Sequence, residues 1–381
     1  MKKEYDFIFV MSSIPIKYPT GGIKIIYRLT EKLAYKGYKV AILFITDPFR
    51  IARTLFPAKK KIRNMNIVPY LIKNLLNNKF SNEYIIPIAR NILRVKYNEY
   101  FSDVDIFFSK KIPNDVISKR YIATDYITAF NVYYEAKSPH KYYISQHDEA
   151  DPVYLGELSW LAKEAYKLSL ILMVINNDMM QLYEKRNPVL FHVGIEDYFF
   201  NSYLSKDRDT DIRILIPLRK GEMKGAVYGI DAARLIHEHM GSVSILAYGS
   251  FPRHKVPLFI EYHYLPSNRE LLELYQKSTI FLLPSILEGM SLPALEAMAS
   301  GCVVVSTDCV GIRVYLKDGI NSIIVDVRDS NALFSSVQKI LDDKSLFESL
   351  KKNALLTASQ YTYDNMTKEF LTAIDKAEEI S

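Results

Sequence analysis

The chain has 381 residues, 49% of them apolar and 24% charged, with a formal net charge of +6. This length suggests two domains, and the composition is that of ordinary globular proteins, which excludes disordered, collagen-like and disulfide-stapled chains. The small basic excess would suit an anionic nucleotide or membrane surface, although simple surface balance accounts for it better. Because the clustered basic run at residues 59–63 is short, we expect no nucleic-acid partner.

The amino-terminal segment predicts a βαβ unit. Residues 7–11 form an apolar run typical of a strand, and a loop containing Gly21 and Gly22 follows. Apolar positions at near-helical spacing predict a helix over residues 23–36, and residues 39–45 predict the next strand. A strand, a helix and a strand in this order are the start of a doubly wound α/β domain.

The middle of the chain contains further short apolar runs, which predict strands at residues 121–124, 142–145 and 171–175. The region from Phe49 to Tyr100 is rich in Lys, Asn and Tyr, and helices are placed there only loosely. The longest apolar run, residues 168–175, is far too short to cross a membrane, and the amino-terminal one is too short for a signal peptide. Any membrane contact is therefore expected to be peripheral.

The second half of the chain repeats the α/β alternation after a polar stretch. Residues 203–211 are that stretch and are predicted to be an interdomain linker. Strands are predicted at residues 212–217, 243–248 and 280–283, and helices at 226–237, 331–341 and 366–377. The expected organisation is an amino-terminal domain over 1–202, the linker over 203–211, a carboxy-terminal domain over 212–360 and a terminal segment over 361–381.

The chain contains two cysteines, Cys302 and Cys309. No Cys-x-x-Cys pair and no histidine cluster accompanies them, so no zinc site is predicted. So few thiols in a chain of this size favour a reducing compartment. We expect a cytoplasmic protein, with contact to the inner face of the cell membrane left open.

The stretch around Glu288 carries the most functional information. The apolar runs that flank it, residues 280–283 and 302–305, predict two buried strands with a loop and a short helix between them. Ser291 suits the N-cap of this helix and Gly301 suits its C′ position. Glu288 is therefore expected at the carboxyl end of a parallel strand, where α/β sheets bind ligands and helix amides face anions.

A second glutamate, Glu296, lies eight positions later and is the only ionisable residue of the predicted helix. A buried carboxylate without a partner is costly, so a lone glutamate here would lie at the helix edge and cap a neighbouring backbone. Two glutamates that frame a Gly-Met-Ser turn favour a ligand site instead.

The spacing Glu288-x7-Glu296 resembles the signature of retaining family 4 glycosyltransferases, which have the GT-B fold of two facing Rossmann-like, doubly wound α/β domains with a cleft between them. The resemblance implies that Glu288 contacts hydroxyls of the donor sugar and that Glu296 holds the ribose of the nucleotide. It also implies donor contacts from the residues that follow the first glutamate, Gly289, Met290, Ser291 and Leu292. The chain departs from the family at Met290 and Ser291, where the family often has Phe-Gly.

A basic turn at residues 216–225 contains Arg219 and Lys224 between a strand and a helix. It is similar to the family's Arg-x4-Lys-Gly diphosphate site, in which fixed cations neutralise the leaving group without a metal. The alternative is an ordinary basic surface turn. The resemblance therefore implies catalytic roles for Arg219 and Lys224, alongside Glu288 and His147.

The first half contributes a second set of candidates. The resemblance implies that the backbone amides of Gly21 and Gly22 face the donor phosphates. His147 ends an apolar strand and is similar to the family's histidine that contacts the donor sugar, although an isolated histidine is more often structural. Asp148 would orient His147 or contact the acceptor, and both Asp148 and Glu149 are placed on the acceptor side.

Residues 124–130 and 145–149 together resemble rhamnosyltransferase-like members of the family that build surface polysaccharides. Residues 192–196 loosely match the family's turn at the end of the amino-terminal domain, through Gly194. Residues 361–363 resemble the place where the chain crosses back to the first domain, so the terminal helix is expected to make that return.

Asp103 and Asp105 have the Asp-x-Asp form that metal-dependent GT-A glycosyltransferases use to hold a divalent cation. Two aspartates that flank one residue are common by chance, and these look like the polar mouth of a strand. Since Arg219 and Lys224 supply positive charge, no metal and no cofactor other than the donor substrate is expected.

The sequence thus favours a retaining glycosyltransferase that moves a sugar from a nucleoside-diphosphate sugar to a hydroxyl of a glycan or lipid-linked glycan. Two alternatives stay open. One is a GT-B-fold sugar-nucleotide epimerase or phosphorylase, and the other is a non-catalytic nucleotide-sugar-binding member of a glycan assembly complex.

Overall fold

The structure, a computed structural model, describes residues 3–12, 21–59, 103–201, 212–241 and 243–380. The chain divides into two compact units, each built on one parallel sheet. Unit 1 comprises Met1–His192 and Met366–Ser381, and unit 2 comprises Val193–Asn365. The predicted linker, 203–211, and most of the region from Phe49 to Tyr100 lie outside the described residues.

Unit 1 contains a seven-stranded parallel sheet with the strand order β3-β2-β1-β4-β5-β6-β7. Its strands are β1 (Lys3–Met11), β2 (Val40–Ile45), β3 (Val104–Ser109), β4 (Val116–Ala123), β5 (His140–Ser145), β6 (Ile171–Val174) and β7 (Val189–Leu190). The direction of progression reverses between β1 and β4. Their carboxyl ends are therefore the switch point at which doubly wound sheets bind ligands.

The described helices of unit 1 lie between its strands in the sequence. They are α1 (Gly21–Tyr35), α2 (Arg50–Leu55), α3 (Tyr126–Glu135), α4 (Pro152–Leu155), α5 (Ser159–Ala165) and α6 (Asn177–Leu182). Helix α1 begins two residues before the predicted start at residue 23, so Gly21 and Gly22 form its first turn and not a loop. Glycine adopts helical backbone angles as readily as those of a turn, and the sequence alone does not separate the two.

Unit 2 contains a six-stranded parallel sheet with the strand order β10-β9-β8-β11-β12-β13. Its strands are β8 (Arg213–Pro217), β9 (Ser244–Gly249), β10 (Glu261–Tyr264), β11 (Ile280–Leu283), β12 (Val303–Thr307) and β13 (Ser322–Val325). Here the progression reverses between β8 and β11, so their carboxyl ends form the second switch point. The core strands β11 and β12 are buried along their whole length, as a parallel sheet covered on both faces requires.

The described helices of unit 2 are α7 (Tyr198–Asn201), α8 (Ala226–His239), α9 (Asn268–Lys277), α10 (Leu292–Ala299), α11 (Ser330–Asp342) and α12 (Lys344–Ala358). The sequence did not predict α12. Asp343 ends α11 and also caps α12, because its side chain accepts a hydrogen bond from the backbone N–H of Leu346 at 3.0 Å. The two helices are therefore separated by a single residue. No glycine or proline turn between them indicates in the sequence that a second helix begins.

The last helix, α13 (Tyr363–Ile380), joins unit 1 from Met366 onward. Its Phe370 is buried against Phe9, with ring centroids 6.2 Å apart. Near its end Glu378 accepts two hydrogen bonds from the guanidinium of Arg120, at 2.6 and 2.8 Å. Aromatic packing and a bidentate ion pair thus attach this helix to the sheet of unit 1.

Within the described residues, no helix has the combination of length and apolar composition that crossing a bilayer requires.

Candidate functional site

Glu288 lies at the switch point of unit 2. It follows β11, whereas Arg219 and Lys224 follow the neighbouring strand β8. The three side chains therefore come from the two strands between which the sheet changes direction. The position of Glu288 after a buried parallel strand is as the sequence predicts.

Two cations and a hydroxyl surround the Glu288 carboxylate, which is 5% exposed. Lys224 Nζ donates to Oε2 at 2.8 Å, Ser285 Oγ donates to Oε1 at 2.7 Å, and Arg219 Nη2 donates to Oε1. Burial opposes ionisation of Glu288, but the charges of Arg219 and Lys224 outweigh it and lower the pKa of the carboxyl group. The carboxylate is thus ionised, and we call these four residues the charge cluster.

The turn that carries the cations packs directly on the segment before Glu288. Gly225 has φ +61°, and a side chain there would place its Cβ 1.8 Å from the carbonyl oxygen of Pro284. The carbonyl of Met223 accepts hydrogen bonds from the N–H groups of Ile286 and Leu287, at 2.9 and 3.2 Å. The glycine in the Lys-Gly pair is therefore required for the two loops to meet, which brings Lys224 to Glu288.

A second glycine supports the glutamate loop from the segment after β12. Gly311 has φ +92°, and a Cβ at this position would lie 2.3 Å from the carbonyl oxygen of Gly289. The N–H of Glu288 donates to the carbonyl of Val310 at 3.2 Å, and Tyr315 OH donates to the carbonyl of Ser291 at 2.8 Å. Sequence reasoning missed Gly311 and Tyr315, because neither belongs to a motif and their contacts depend on the tertiary fold.

Ser291 precedes α10 as predicted, but its side chain does not cap the helix. Its backbone is left-handed, with φ +49° and ψ +67°, whereas a capping serine adopts an extended backbone that aims the hydroxyl at the first-turn amides. In the part of the chain that the structure describes, nothing hydrogen-bonds the buried Oγ of Ser291. The prediction of a serine N-cap is therefore wrong. At the other end of the helix Gly301 has φ +76°, as predicted for the C′ position.

Glu296 is half-buried on α10 and has a tyrosine partner. Tyr275 OH donates to Glu296 Oε2 at 3.0 Å and lies 2.8 Å from Tyr248 OH. Since Tyr275 has one proton and gives it to Glu296, Tyr248 donates to Tyr275. Burial and the charge of Glu296 raise the pKa of Tyr248, which keeps it a neutral donor. The carboxylate that looked costly in the sequence is thus oriented by two buried hydroxyls in series.

At the switch point of unit 1, the hydroxyl of Ser12 after β1 donates a hydrogen bond to the carboxylate of Asp125 after β4. Asp125 also caps α3, because its carboxylate accepts from the N–H of Thr128 at 2.8 Å. Burial raises the pKa of Asp125 despite these hydrogen bonds. The carboxyl edge of this sheet therefore contains a desolvated acid.

Gly22 in the first turn of α1 lies close to the residue that follows β5. The Nε2 of Gln146 donates to the carbonyl of Gly22 at 3.1 Å, and a Cβ on Gly22 would lie 2.7 Å from Gln146 Oε1. The absence of a side chain at Gly22 allows this approach. Gln146 was not predicted as a site residue, and its position next to His147 is the signal that would have indicated it.

His147 and Asp148 follow the same strand and are half-buried. The imidazole of His147 packs on the ring of Tyr154, with centroids 4.2 Å apart. Asp148 Oδ1 accepts from Tyr183 OH at 2.6 Å and from the N–H of Ala150 at 3.0 Å. Both side chains thus have defined positions at the carboxyl edge of unit 1.

Glu149 is buried and accepts a hydrogen bond from Tyr143 OH. Burial and the charge of Asp125 raise the pKa of Glu149 to about 8. The side chain is therefore mostly protonated at neutral pH. Its assignment to the acceptor side stays a prediction.

The Asp-x-Asp pair lies at the start of β3, where Asp105 accepts from Tyr5 OH and has Lys3 Nζ at 3.6 Å. Among the described residues, no three His, Cys, Asp or Glu side chains are grouped in a way that could hold a metal ion. Cys302 and Cys309 are free and buried.

Comparison with known proteins places the charge cluster in a recognised domain. Residues 214–343 match the family model described as Glycosyl transferases group 1. The N,N'-diacetylbacillosaminyl-diphospho-undecaprenol alpha-1,3-N-acetylgalactosaminyltransferase of Campylobacter jejuni is 31% identical over 30% of this chain and 30% of its own length. The O-antigen chain mannosyltransferase B of Escherichia coli is 30% identical over 29% of this chain and 28% of its own. The chain therefore spans less than a third of the length of these curated relatives.

Solved structures resemble the whole chain. HepE of Anabaena, crystallised with UDP-glucose, superposes with a TM-score of 0.67 at 12% identity, covering 98% of this chain and 100% of that one. A glycosyltransferase of Rickettsia africae gives a TM-score of 0.62 at 17% identity, covering 99% and 100%. At such identities the likeness concerns the fold alone. With its two Rossmann-like parallel sheets the chain has the GT-B fold, and its residues 214–343 are similar to the group 1 glycosyl transferases.

Proposed function

We propose that this chain is a retaining glycosyltransferase of the family 4 type, which moves a sugar from a nucleoside-diphosphate sugar to a hydroxyl of a glycan or lipid-linked glycan. The observation that carries the proposal is the charge cluster at the switch point of unit 2. A buried glutamate with two cations from the neighbouring strand is the chemistry that a sugar diphosphate requires, because one end of this ligand presents hydroxyls and the other presents negative charge.

Arg219 and Lys224 are the groups that would bind the diphosphate. Their side chains are 23% and 28% exposed, so one side of each cation remains accessible while the other contacts Glu288. The N-terminus of α10 follows immediately, and its first amides add positive potential. In this arrangement the developing charge on the leaving group is neutralised by side chains and amides of the chain itself.

Glu296 is the proposed partner of the ribose. A carboxylate accepts hydrogen bonds from vicinal hydroxyls, and Tyr275 holds this one in a defined rotamer from inside the protein. The donor would thus lie along α10. Its nucleoside would be near Glu296 and its sugar near Glu288, which is eight residues earlier in the chain.

The reaction is proposed from the resemblance to retaining family 4 enzymes. The bond between the anomeric carbon and the diphosphate oxygen breaks, and the acceptor oxygen forms a bond to the same carbon from the same face. The acceptor proton passes to the departing phosphate oxygen, so no separate general base is needed. His147 and the amides of Gly21 and Gly22 are proposed to contact the donor from unit 1, and Asp148 and Glu149 the acceptor.

The acceptor class is proposed from the names of the relatives. One of them is named for a diphospho-undecaprenol-linked sugar and another for an O-antigen chain. A lipid-linked acceptor would bring the protein to the cytoplasmic face of the membrane by peripheral contact. Rhamnosyltransferase-like specificity is part of the same proposal.

The first experiment is a thermal-shift screen of the whole chain, because a ligand stabilises the folded state in proportion to the logarithm of its saturation. The ligands are the diphosphates UDP, GDP and dTDP and the nucleotide sugars UDP-glucose, UDP-N-acetylgalactosamine, GDP-mannose and dTDP-rhamnose. Transfer from the best donor to a lipid-linked glycan is then measured, and NMR of the product determines the anomeric configuration. Inversion would contradict the proposed mechanism. Release of a free epimer or a sugar phosphate would favour the epimerase or phosphorylase, and binding without any turnover would favour the non-catalytic role.

The site assignment is tested by Lys224→Ala with Lys220→Ala as its matched control. Lys220 lies in the same turn but is exposed, and its backbone N–H, not its side chain, donates to Ser250. We expect Lys224→Ala to lower the transfer rate at least about tenfold, since a charged contact is worth roughly 1.5–3 kcal/mol. Equal rates in the two variants would remove Lys224 from the site. Activity that disappears in excess chelator would return Asp103 and Asp105 to consideration as metal ligands.

A further inference from the structure

The loop that carries His147 is tied to itself through a buried tyrosine. Ser145 ends β5, and its hydroxyl donates to the carbonyl oxygen of His147 at 2.8 Å. The hydroxyl of Tyr166, which follows α5, lies 2.6 Å from Ser145 Oγ. The backbone N–H of Glu149 donates to the same phenolic oxygen at 3.3 Å. One side chain from a later segment thus connects both ends of the loop at residues 145–149.

The direction of these hydrogen bonds follows from the number of protons, since a serine and a tyrosine hydroxyl each have one to donate. Ser145 gives its proton to the carbonyl of His147, so Tyr166 gives its own to Ser145 and accepts from the N–H of Glu149. A contact of 3.4 Å from Tyr166 to the carbonyl of His147 is the longer alternative for its proton. Burial raises the pKa of Tyr166, so the phenol remains a neutral donor. Hydrogen bonds in such a buried chain strengthen one another.

Tyr166 is itself fixed from two sides. The guanidinium of Arg186 donates to the carbonyl of Tyr166 and to those of Leu168 and Leu170, at 2.7 and 2.8 Å, which holds the segment after α5. The ring of Tyr183 stacks on the ring of Tyr166, with centroids 4.3 Å apart. The phenolic oxygen therefore has a fixed position, as a group that supports a functional loop requires.

The side chain of His147 is held as well as its backbone. Its imidazole packs on the ring of Tyr154, with centroids 4.2 Å apart. Tyr154 lies on α4, whose first turn is capped by Asp151, because that carboxylate accepts from the N–H of Val153 at 2.9 Å. The direction of the imidazole is thus set by two contacts, one to its backbone that depends on Tyr166 and one to its ring.

We propose that the hydroxyl of Tyr166 is a positioning group that fixes His147 in the orientation in which it contacts the donor sugar. This inference rests on the proposed function and adds to it a residue that would not contact the ligand itself. Tyr166 is 6% exposed and acts only through the loop. A contact displaced by about 1 Å can lower a reaction rate up to about a hundredfold, so a hydroxyl behind the site can affect transfer.

The test is Tyr166→Phe in the whole chain, with Tyr121→Phe as its matched control. Phenylalanine keeps the ring that stacks on Tyr183 and removes only the hydroxyl. Tyr121 is also buried in unit 1, but its hydroxyl donates to the carbonyl of Val116 at the start of β4, at 2.8 Å. Both variants are expected to lower the melting temperature by about 2 to 4 °C. Only Tyr166→Phe is expected to lower the transfer rate, by roughly tenfold.

Ligand affinity separates positioning of His147 from a general loss of stability. Tyr166→Phe is expected to raise the dissociation constant of the best nucleotide sugar roughly 3- to 10-fold. It should leave that of the matching nucleoside diphosphate unchanged, because the diphosphate has no sugar for His147 to contact. In a His147→Ala background, Tyr166→Phe should have no further effect on nucleotide-sugar binding, since the contact that it positions is already absent. Calorimetric titration of the four proteins measures this cycle.

Ser145→Ala is a second variant, which breaks the same chain of hydrogen bonds at its middle. It is expected to reproduce the effects of Tyr166→Phe, and it carries the same comparison if Tyr166→Phe does not fold.

Two sets of results would be unfavourable, and they differ. The inference would be overturned, with the proposed function intact, if wild type transferred a sugar and Tyr166→Phe did so equally well. The same holds if the effect of Tyr166→Phe added in full to that of His147→Ala. Failure of wild type to bind any nucleotide sugar of the panel would overturn the proposed function itself, and the inference with it.

Discussion

The Nζ of Lys224 lies 2.8 Å from Oε2 of Glu288, while Arg219 donates to the other carboxylate oxygen. The two cations proposed to bind a diphosphate are therefore neutralised by an acid of the same unit. A diphosphate that binds to Arg219 and Lys224 competes with Glu288 for the same positive charge. Glu288 thus influences the affinity for the leaving group as well as any contact with the sugar.

Glu288→Gln is expected to separate these two effects. The amide keeps the shape of the side chain but removes its charge, so both cations become available to the ligand. We expect the free nucleoside diphosphate to bind roughly 3- to 10-fold more tightly and the transfer rate to fall at least about tenfold. Calorimetric titration with UDP, GDP or dTDP measures the first quantity and a steady-state assay the second.

Asp308→Asn is the control for a general charge effect. It removes one acid of unit 2 that pairs with Arg313 at 2.6 Å in an exposed ion pair. Its effect on diphosphate binding is expected to be small because exposed pairs contribute little. If Glu288→Gln weakened diphosphate binding instead, the competition between carboxylate and ligand would be refuted.

The protonated state of Glu149 makes a pH dependence of stability predictable. The unfolded chain releases this proton near the ordinary value of 4.5, and the folded protein near 8, because of burial and the charge of Asp125. Between these values the folded state holds more protons, so this group's contribution to stability falls as pH rises, by at most about 1.4 kcal/mol per pH unit. Below 4.5 and above 8 the contribution is constant.

Glu149→Gln should therefore become more stable relative to wild type as the pH rises from 5 to 8. The amide remains an acceptor for Tyr143 and has no proton to lose. Urea unfolding at pH 5, 6.5 and 8 measures the difference in the free energy of unfolding. Glu164→Gln, which removes a partly exposed acid on α5 paired with Lys167, should show no such trend. A difference between Glu149→Gln and wild type that does not change with pH would contradict the raised pKa.

The sequence predicted local structure at the site better than the contacts that complete it. Strands β11 and β12 and the helix between them follow from apolar runs and a C′ glycine, which are local signals. That Arg219 and Lys224 meet Glu288 required the family resemblance, because hydrophobic periodicity does not say which loops converge at one sheet edge. The exception within the motif was Ser291, whose type suggested a cap although its backbone is left-handed.

Contacts between distant segments that belong to no family motif could not be predicted. Gln146 and Gly22 approach each other because both lie beside the carboxyl edge of the sheet of unit 1, and Tyr275 reaches Glu296 because α9 and α10 flank neighbouring strands. Nothing in the type or spacing of these residues indicates their partner. Such pairs depend on strand order, which becomes known only with the fold.

The tyrosine pair behind Glu296 is expected to act as a positioning element. Tyr275→Phe removes the donor to Glu296 and leaves the hydroxyl of Tyr248 without its acceptor. We expect the free energy of unfolding to fall by about 1 to 2 kcal/mol and the dissociation constant of the nucleoside diphosphate to rise several-fold. Denaturant unfolding and calorimetry measure the two effects.

Tyr262→Phe serves as the comparison, since Tyr262 OH donates to the carbonyl of Phe251 at 2.9 Å within the same unit. It should lower stability to a similar or smaller extent with nucleotide affinity unchanged. If Tyr275→Phe bound the nucleotide as tightly as wild type, the orientation of Glu296 by Tyr275 would have no functional role.

Gly311 packs against the loop that contains Glu288 but is not itself proposed to contact a ligand. A Cβ at this position would lie 2.3 Å from the carbonyl oxygen of Gly289 and 2.5 Å from that of Glu288, and these are backbone atoms that cannot rotate away. Gly311→Ala must therefore displace the glutamate loop. We expect a loss of about 2 to 4 kcal/mol in the free energy of unfolding and at least a tenfold loss of transfer activity.

Gly319→Ala distinguishes this displacement from ordinary backbone strain. Gly319 also has a left-handed backbone, with φ +67°, but a Cβ there meets no heavy atom of the described residues within 4 Å. It should cost about 1 kcal/mol and leave transfer unchanged, because strain alone does not move the site. Since both variants introduce the same side chain at a positive φ, the difference between them isolates the contact of Gly311 with the loop. Equal activity in the two variants would show that the position of the Glu288 loop does not depend on Gly311.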